Sequence, residues 1–117
     1  MSPSYGHDLV LVPDGTVVTA TGVGTGIAVV DKEEFRGVSN VTAIAGTSTP
    51  TITVNIQTSH DDGATDPYRT VASFTAQIAT GASAWKSFPG LDRYVRASWT
   101  VSGTNPSFTF GVTGEAI

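Results

Sequence analysis

The residues best suited to chemistry lie together in one polar stretch, residues 59–65, with the sequence SHDDGAT. This stretch matches the pattern S-x-D-x-G-x-T of a hairpin turn in which the Asp accepts backbone amides and the Gly takes a conformation that other residues avoid. The Trp that usually follows the pattern is replaced here by Asp66. Because hydrogen bonds from side chains to backbone are common in loops, the pattern favours a structural turn.

Calcium binding is the alternative role for this loop. Asp61, Asp62 and Asp66 could supply the hard oxygen ligands that Ca²⁺ prefers. Their spacing does not match that of an EF-hand loop, however. We therefore predict a structural turn, and no metal or cofactor site in the chain.

The two histidines, His7 and His60, are the only imidazoles available for acid-base catalysis. No Ser-His-Asp arrangement and no carboxylate pair can be placed around them from spacing. Gly22, Gly24 and Gly26 look like part of a phosphate loop, but neither a helix nor a Lys-Ser/Thr pair follows them, so flexibility is the favoured role. The sequence predicts a protein that is not an enzyme and has no catalytic residues.

Composition limits the other classes of function. A chain of 117 residues suits one domain. Its six basic residues are spread along the chain, within a net charge of -4, and cannot form a phosphate-binding stripe, so no nucleic acid partner is expected. The absence of cysteine excludes disulfides and thiol chemistry. No segment approaches the about 20 apolar residues that span a bilayer, so we expect a soluble protein with no membrane partner.

Alternation of apolar and polar residues predicts strands, most clearly in residues 90–113. Two alternating runs in this segment flank the turn residues 102–106, which predicts a central hairpin. The side chains that would face the core are Val95, Ala97, Trp99, Val101, Phe108, Phe110 and Val112.

Other segments predict further strands and turns. Residues 7–12 and 16–21 predict one hairpin around Pro13, and residues 51–58 and 69–78 predict another. Residues 37–46 predict a strand with Val41, Ala43 and Ala45 on its inner side. Residues 27–30 and 84–88 predict short strands, and the charged residues 31–36 predict a loop.

Roughly eight or nine strands at this spacing predict an all-β fold, a single antiparallel β-sandwich with jelly-roll-like or immunoglobulin-like strand order. An up-and-down barrel is the alternative. Residues 1–6 predict a flexible N-terminal arm, and residues 7–117 the β-sandwich domain. Long helices are not expected, because Leu, Glu and Lys are scarce.

Several aromatic and apolar residues are candidates for binding. Tyr5, His7 and Leu9, in and just after the arm, are predicted to contact a partner that would order the arm. Trp85 and Tyr94 could together form a platform on which a sugar stacks, although core or interface packing is the favoured role for both.

Residues 51–115 carry a family resemblance in three segments: ITVNIQTSHDDG, YRTVASF, and KSFPGLDRYVRASWTVSGTNPSFTFGV. These segments resemble small β-sandwich structural proteins encoded in the head genes of tailed bacteriophages, the head decoration or minor capsid type. The RYVR segment is also similar to strands of galactose-binding-like jelly rolls, but the sugar-binding loop residues of that family cannot be placed in this chain.

The resemblance implies a non-enzymatic virion protein that binds the outer surface of a phage capsid and reinforces it, a decoration or cement protein. Its partner would be the lattice of the major capsid protein, on virions assembled in the host cytoplasm. The chain would be a homo-oligomer, with a trimer favoured. Buried area and strand addition would supply the binding energy. The alternatives are a phage tail, neck or fibre-associated component, or a carbohydrate-binding β-sandwich module.

Overall fold

The alternating pattern produces strands along most of the chain. The computed structural model describes residues 7–29 and 32–117. These residues form the strands β1 (His7–Val18), β2 (Gly22–Val23), β3 (Ile27–Ala28), β4 (Glu34–Ser59), β5 (Arg69–Ser73), β6 (Ser83–Pro89) and β7 (Tyr94–Ala116). The described part of the chain contains no helix, and therefore none that is long and apolar enough to cross a membrane. The prediction of an all-β fold is confirmed.

The two longest strands, β4 with 26 residues and β7 with 23, form the centre of the fold. They pair antiparallel from Phe35 opposite Ala116 to Ser59 opposite Tyr94. The ladder is interrupted halfway, where Gly46 and Gly103 have positive φ angles and the register shifts. Bulges of this kind bend a ribbon sharply. The sheet folds over at this bend into two layers.

The two halves of β4 and β7 belong to different layers. In the first layer the order is β1, residues 107–116 of β7, residues 34–45 of β4, and β6. In the second layer β2 and β3 pair with residues 94–102 of β7, which pair with residues 51–59 of β4, and β5 completes the layer.

This strand order is that of a jelly roll, a double sheet built from two Greek keys. Counting each bent strand twice gives nine segments, within the range expected from the sequence. An up-and-down barrel does not fit, because its strands pair with their neighbours in sequence, whereas β2, β3 and β4 all pair with β7.

The core lies between the layers and is rich in aromatic side chains. The Trp99 and Phe110 rings, from opposite halves of β7, meet edge to face with centroids 5.5 Å apart. The rings of Phe74 and Phe88 make a similar contact at 4.9 Å. Ile52, Val54 and Ile56 of β4 are buried in this core. The core residues predicted for β7 are buried as expected, except Val101, which is half-buried.

Two predicted hairpins are wrong. Residues 94–101 and 107–112 do not pair with each other, since both lie on β7 and pair with β4. Residues 7–12 and 16–21 do not pair either: β1 is one strand along residues 7–18, and its turn residues around Pro13 bulge out of the ladder with β7. In both cases residues that favour a turn accommodate a bend or bulge within one strand.

The remaining strand predictions differ less from the structure. β5 pairs with β4 around the polar loop as predicted, but ends at Ser73, and β6 matches the predicted short strand. Glu34 already begins β4, so only part of the charged segment is a loop. Ala43 and Ala45 are exposed, because a register shift after Val41 changes which side chains face the core.

Candidate functional site

The polar loop after β4 folds around the Asp61 carboxylate. Asp61 Oδ2 accepts the backbone N–H of Thr65 at 2.9 Å and also the Thr65 hydroxyl, while Oδ1 accepts the backbone N–H of Asp66 at 3.0 Å. Asp62 and Gly63 have positive φ angles of 60° and 81°. This is the turn that the sequence pattern predicts, with an Asp accepting backbone amides and a Gly in the left-handed region.

Ser59 completes the turn from the buried end of β4. Its hydroxyl donates to the Asp66 carbonyl at 2.7 Å and accepts the backbone N–H of Gly63 at 2.9 Å. The backbone N–H of His60 donates to Asp66 Oδ2 at 2.8 Å. The polar atoms that could bind a ligand are therefore largely used to hold the loop itself.

The same hydrogen bonds determine the charge state of Asp61. The Thr65 hydroxyl, followed by the backbone amides of Asp66 and Thr65, lowers the pKa of Asp61 from 3.8 to about 2, because each donor stabilises the carboxylate. A carboxylate held this way has few lone pairs free for a metal ion. Across residues 7–29 and 32–117, no three His, Cys, Asp or Glu side chains are grouped to hold one.

Asp62 connects the loop to the outer face of the second layer. The Tyr68 hydroxyl donates to Asp62 Oδ1 at 2.5 Å, and the Arg96 guanidinium lies 3.9 Å from the centre of the Tyr68 ring. Arg96 Nε in turn donates to Gln57 Oε1 at 2.8 Å, and Gln57 Nε2 to Thr70 at 3.3 Å. Burial and the neighbouring Asp62 raise the pKa of Tyr68 above its usual range, so the phenol stays protonated.

Close packing explains the glycines that the sequence assigned to a flexible connection. The backbone N–H of Gly24 donates to the Ala97 carbonyl at 2.7 Å, and a Cβ at Gly24 would lie 3.3 Å from that oxygen. At Gly26 a Cβ would overlap the Asp62 carboxylate and the Tyr68 hydroxyl. The prediction of a flexible role is wrong, because these glycines let the chain around β2 and β3 lie close against β7 and the polar loop.

The predicted interface residues lie near the start of β1. Tyr5 and the rest of residues 1–6 fall outside the described residues, and His7 is the first residue of β1. Leu9 is only 3% exposed and packs in the core of the domain itself. The arm and its contacts with a partner stay a prediction.

The structure separates the two aromatic residues of the predicted sugar platform. Trp85 lies on β6, on the outer face of the first layer, and is 74% exposed. Tyr94 begins β7 in the second layer and is half-buried beside Ser59 and Ala28. They do not form one platform. Of the large hydrophobic residues that the structure describes, Trp85 is the most exposed.

No protein-family model matches this chain, and no curated protein sequence matches it.

Proposed function

We propose that this protein is a non-enzymatic phage structural protein that binds the outer surface of a capsid and reinforces it. The proposal starts from the resemblance of residues 51–115 to head decoration proteins. Those residues include residues 51–59 of β4, all of β5 and β6, and β7 through residue 115. A fold by itself does not specify a function, so the surface has to support the proposal.

The observation that carries the proposal is the exposure of Trp85. A large aromatic side chain on an open sheet face loses hydrophobic stabilisation unless another surface covers it. Exposed apolar patches are typical of interaction sites, and Trp is enriched where interfaces gain most of their energy. The loop of residues 59–66, by contrast, uses its polar groups internally. This combination favours binding to a partner over chemistry.

The test is reconstitution on capsids of the phage that encodes the chain, prepared without the protein. We expect the purified chain to co-sediment with these capsids to saturation and to raise the temperature at which they release DNA. Purified tails serve as the parallel sample. Binding to tails and not to capsids would contradict the decoration role and favour the tail or neck alternative. Sedimentation equilibrium of the free chain tests the proposed trimer. A molecular mass equal to that of the monomer at every concentration would contradict it.

A carbohydrate-binding module is the second candidate, and Trp85 is the observation that favours it. The C–H face of a sugar ring stacks on an exposed indole. Titration with malto- and cello-oligosaccharides, followed by tryptophan fluorescence, tests this candidate. A saturable change that Trp85→Ala abolishes would support it, and an unchanged spectrum would remove it.

A further inference from the structure

Trp85 is one end of an apolar line that crosses the outer face of the first layer. Val10 on β1 lies opposite Thr113 on β7. Val38 on β4 lies between Thr113 and Trp85. Neighbouring strands are about 4.8 Å apart, so these four side chains span roughly 14 Å across the sheet. Val10 is 52% exposed and Trp85 is 74% exposed, which leaves the line open to a partner.

A shallow depression lies at the Trp85 end of this line. Its volume is about 210 Å³, and it is bordered by Arg36, Gly37, Val38, Trp85, Thr113 and Gly114. Gly37 and Gly114 lie opposite each other on adjacent strands, and a Cβ at Gly37 would point toward the buried Phe35 ring, so these two residues present only backbone to the depression. The depression therefore has room for an apolar side chain from another molecule beside the Trp85 ring.

The charges around this line are mostly acidic. A parallel row on the same face lies two residues further along each strand. In this row Asp8 lies opposite Glu115, and Glu115 lies opposite Arg36. Arg36 is paired with Glu34 at 2.7 Å, which neutralises its charge locally. On the other side of the line, the Asp14 carboxylate lies against Gly111. The rim therefore has an excess of carboxylates on both sides of the apolar centre.

This charge pattern argues against a second copy of the chain as the occupant. If two such faces met around a two-fold axis, the acidic row of Asp8 and Glu115 would face either itself or the side that carries Asp14. Like charges brought together at an interface cost binding energy. A partner with basic side chains around an apolar centre would complement the face instead.

We propose that the outer face of the first layer, defined by Val10, Val38, Trp85 and Thr113, binds a protein surface that has an apolar protrusion at its centre and basic side chains at its rim. Under the proposed function this partner is the capsid lattice, and to that extent the inference rests on it. The apolar protrusion occupies the depression beside Trp85, and the basic rim faces Asp8, Asp14 and Glu115.

The experiment compares the full chain with single variants for binding to capsids of the encoding phage that lack the protein. Trp85→Ala should weaken binding about 10-fold or more, because removal of an aromatic residue that anchors an interface typically has this effect. Val23→Ala is the matched control, since Val23 is 53% exposed but lies on β2 in the other layer. It should bind as the parent chain does. Urea melts should show both variants folded.

The acidic rim is tested separately by Asp8→Asn and Glu115→Gln. Each should slow association about 2- to 5-fold at low salt, and the difference from the parent should vanish at high salt. Faster association of either variant would mean that the partner's rim is acidic or neutral, and would overturn the proposed chemistry.

The remaining outcomes separate the inference from the proposed function. If the parent chain binds and Trp85→Ala binds equally well, this face is not the binding surface, but the capsid-binding function stands. Failure of the parent chain itself to bind would overturn both. A change of oligomeric state in Trp85→Ala would assign the face to a second copy, and saturable quenching of Trp85 by malto-oligosaccharides would assign it to a sugar. Either result would overturn the inference.

Discussion

Replacement of Trp99 by Ala should destabilise the domain more than the same change at Trp85. Trp99 is 9% exposed, packs edge to face on Phe110, and donates its indole N–H to the Ala20 carbonyl at 3.1 Å. Truncation of a buried Trp to Ala typically costs about 3–5 kcal/mol of unfolding free energy. This is a large part of the about 5–15 kcal/mol that stabilises a typical domain.

Three variants separate the contributions at this site. Trp99→Phe keeps a ring against Phe110 but loses the hydrogen bond to Ala20, which by itself is worth about 1 kcal/mol, so its stability should lie between those of the parent and Trp99→Ala. Trp85→Ala should stay within about 0.5 kcal/mol of the parent, because exposed side chains contribute little. Urea unfolding followed by far-UV circular dichroism measures all of them. If Trp99→Ala unfolded at the parent's midpoint, the packing described here would be wrong.

Three further predictions follow from the loop and the N-terminus. The pKa of Asp61 in the folded protein is lowered from 3.8 to about 2, so its carboxylate stabilises the fold above about pH 4, and this stabilisation is lost as the pH falls toward 2. Over this pH range the melting temperature of Asp61→Asn should therefore fall less than that of the parent. An equal fall of the two melting temperatures would contradict this prediction. Gly26→Ala should displace Asp62 from Tyr68 and lower the free energy of unfolding, measured in a urea melt, by about 1 kcal/mol. The Tyr68 phenol should then titrate nearer its usual pH, and an unchanged titration would contradict the prediction. Deletion of residues 1–6 should leave the melting temperature unchanged but reduce occupancy on capsids, whereas full occupancy would exclude the arm as an attachment element.

The sequence predicts which side chains face the core better than it predicts how the strands connect. The alternation around Trp99 and Phe110 depends on local periodicity, and both residues are buried as expected. Their connection was predicted wrongly because residues 102–106 have the composition of a hairpin turn. In the structure they form a bend between two layers, and each half of β7 pairs with residues of β4 that are 35 to 81 positions away in sequence. Pairing over such distances leaves no local pattern.

The same contrast applies to the candidate sites. The turn around Asp61 is local, so its pattern of spacing was sufficient to predict it. The line from Val10 to Trp85 joins four strands that are far apart in the sequence, and only their register brings these residues together. The separation of Trp85 from Tyr94 has the same cause, because the two residues lie in different layers. Neither feature could be predicted without the strand pairing.

The most direct test of the central claim is a cryo-electron microscopy map of capsids reconstituted with the purified chain. The account predicts jelly-roll density on the outer surface of the capsid at regular lattice positions, with the first layer facing the shell and Trp85 in the contact. Capsids without added density, or density whose Trp85 face points into solvent, would contradict it.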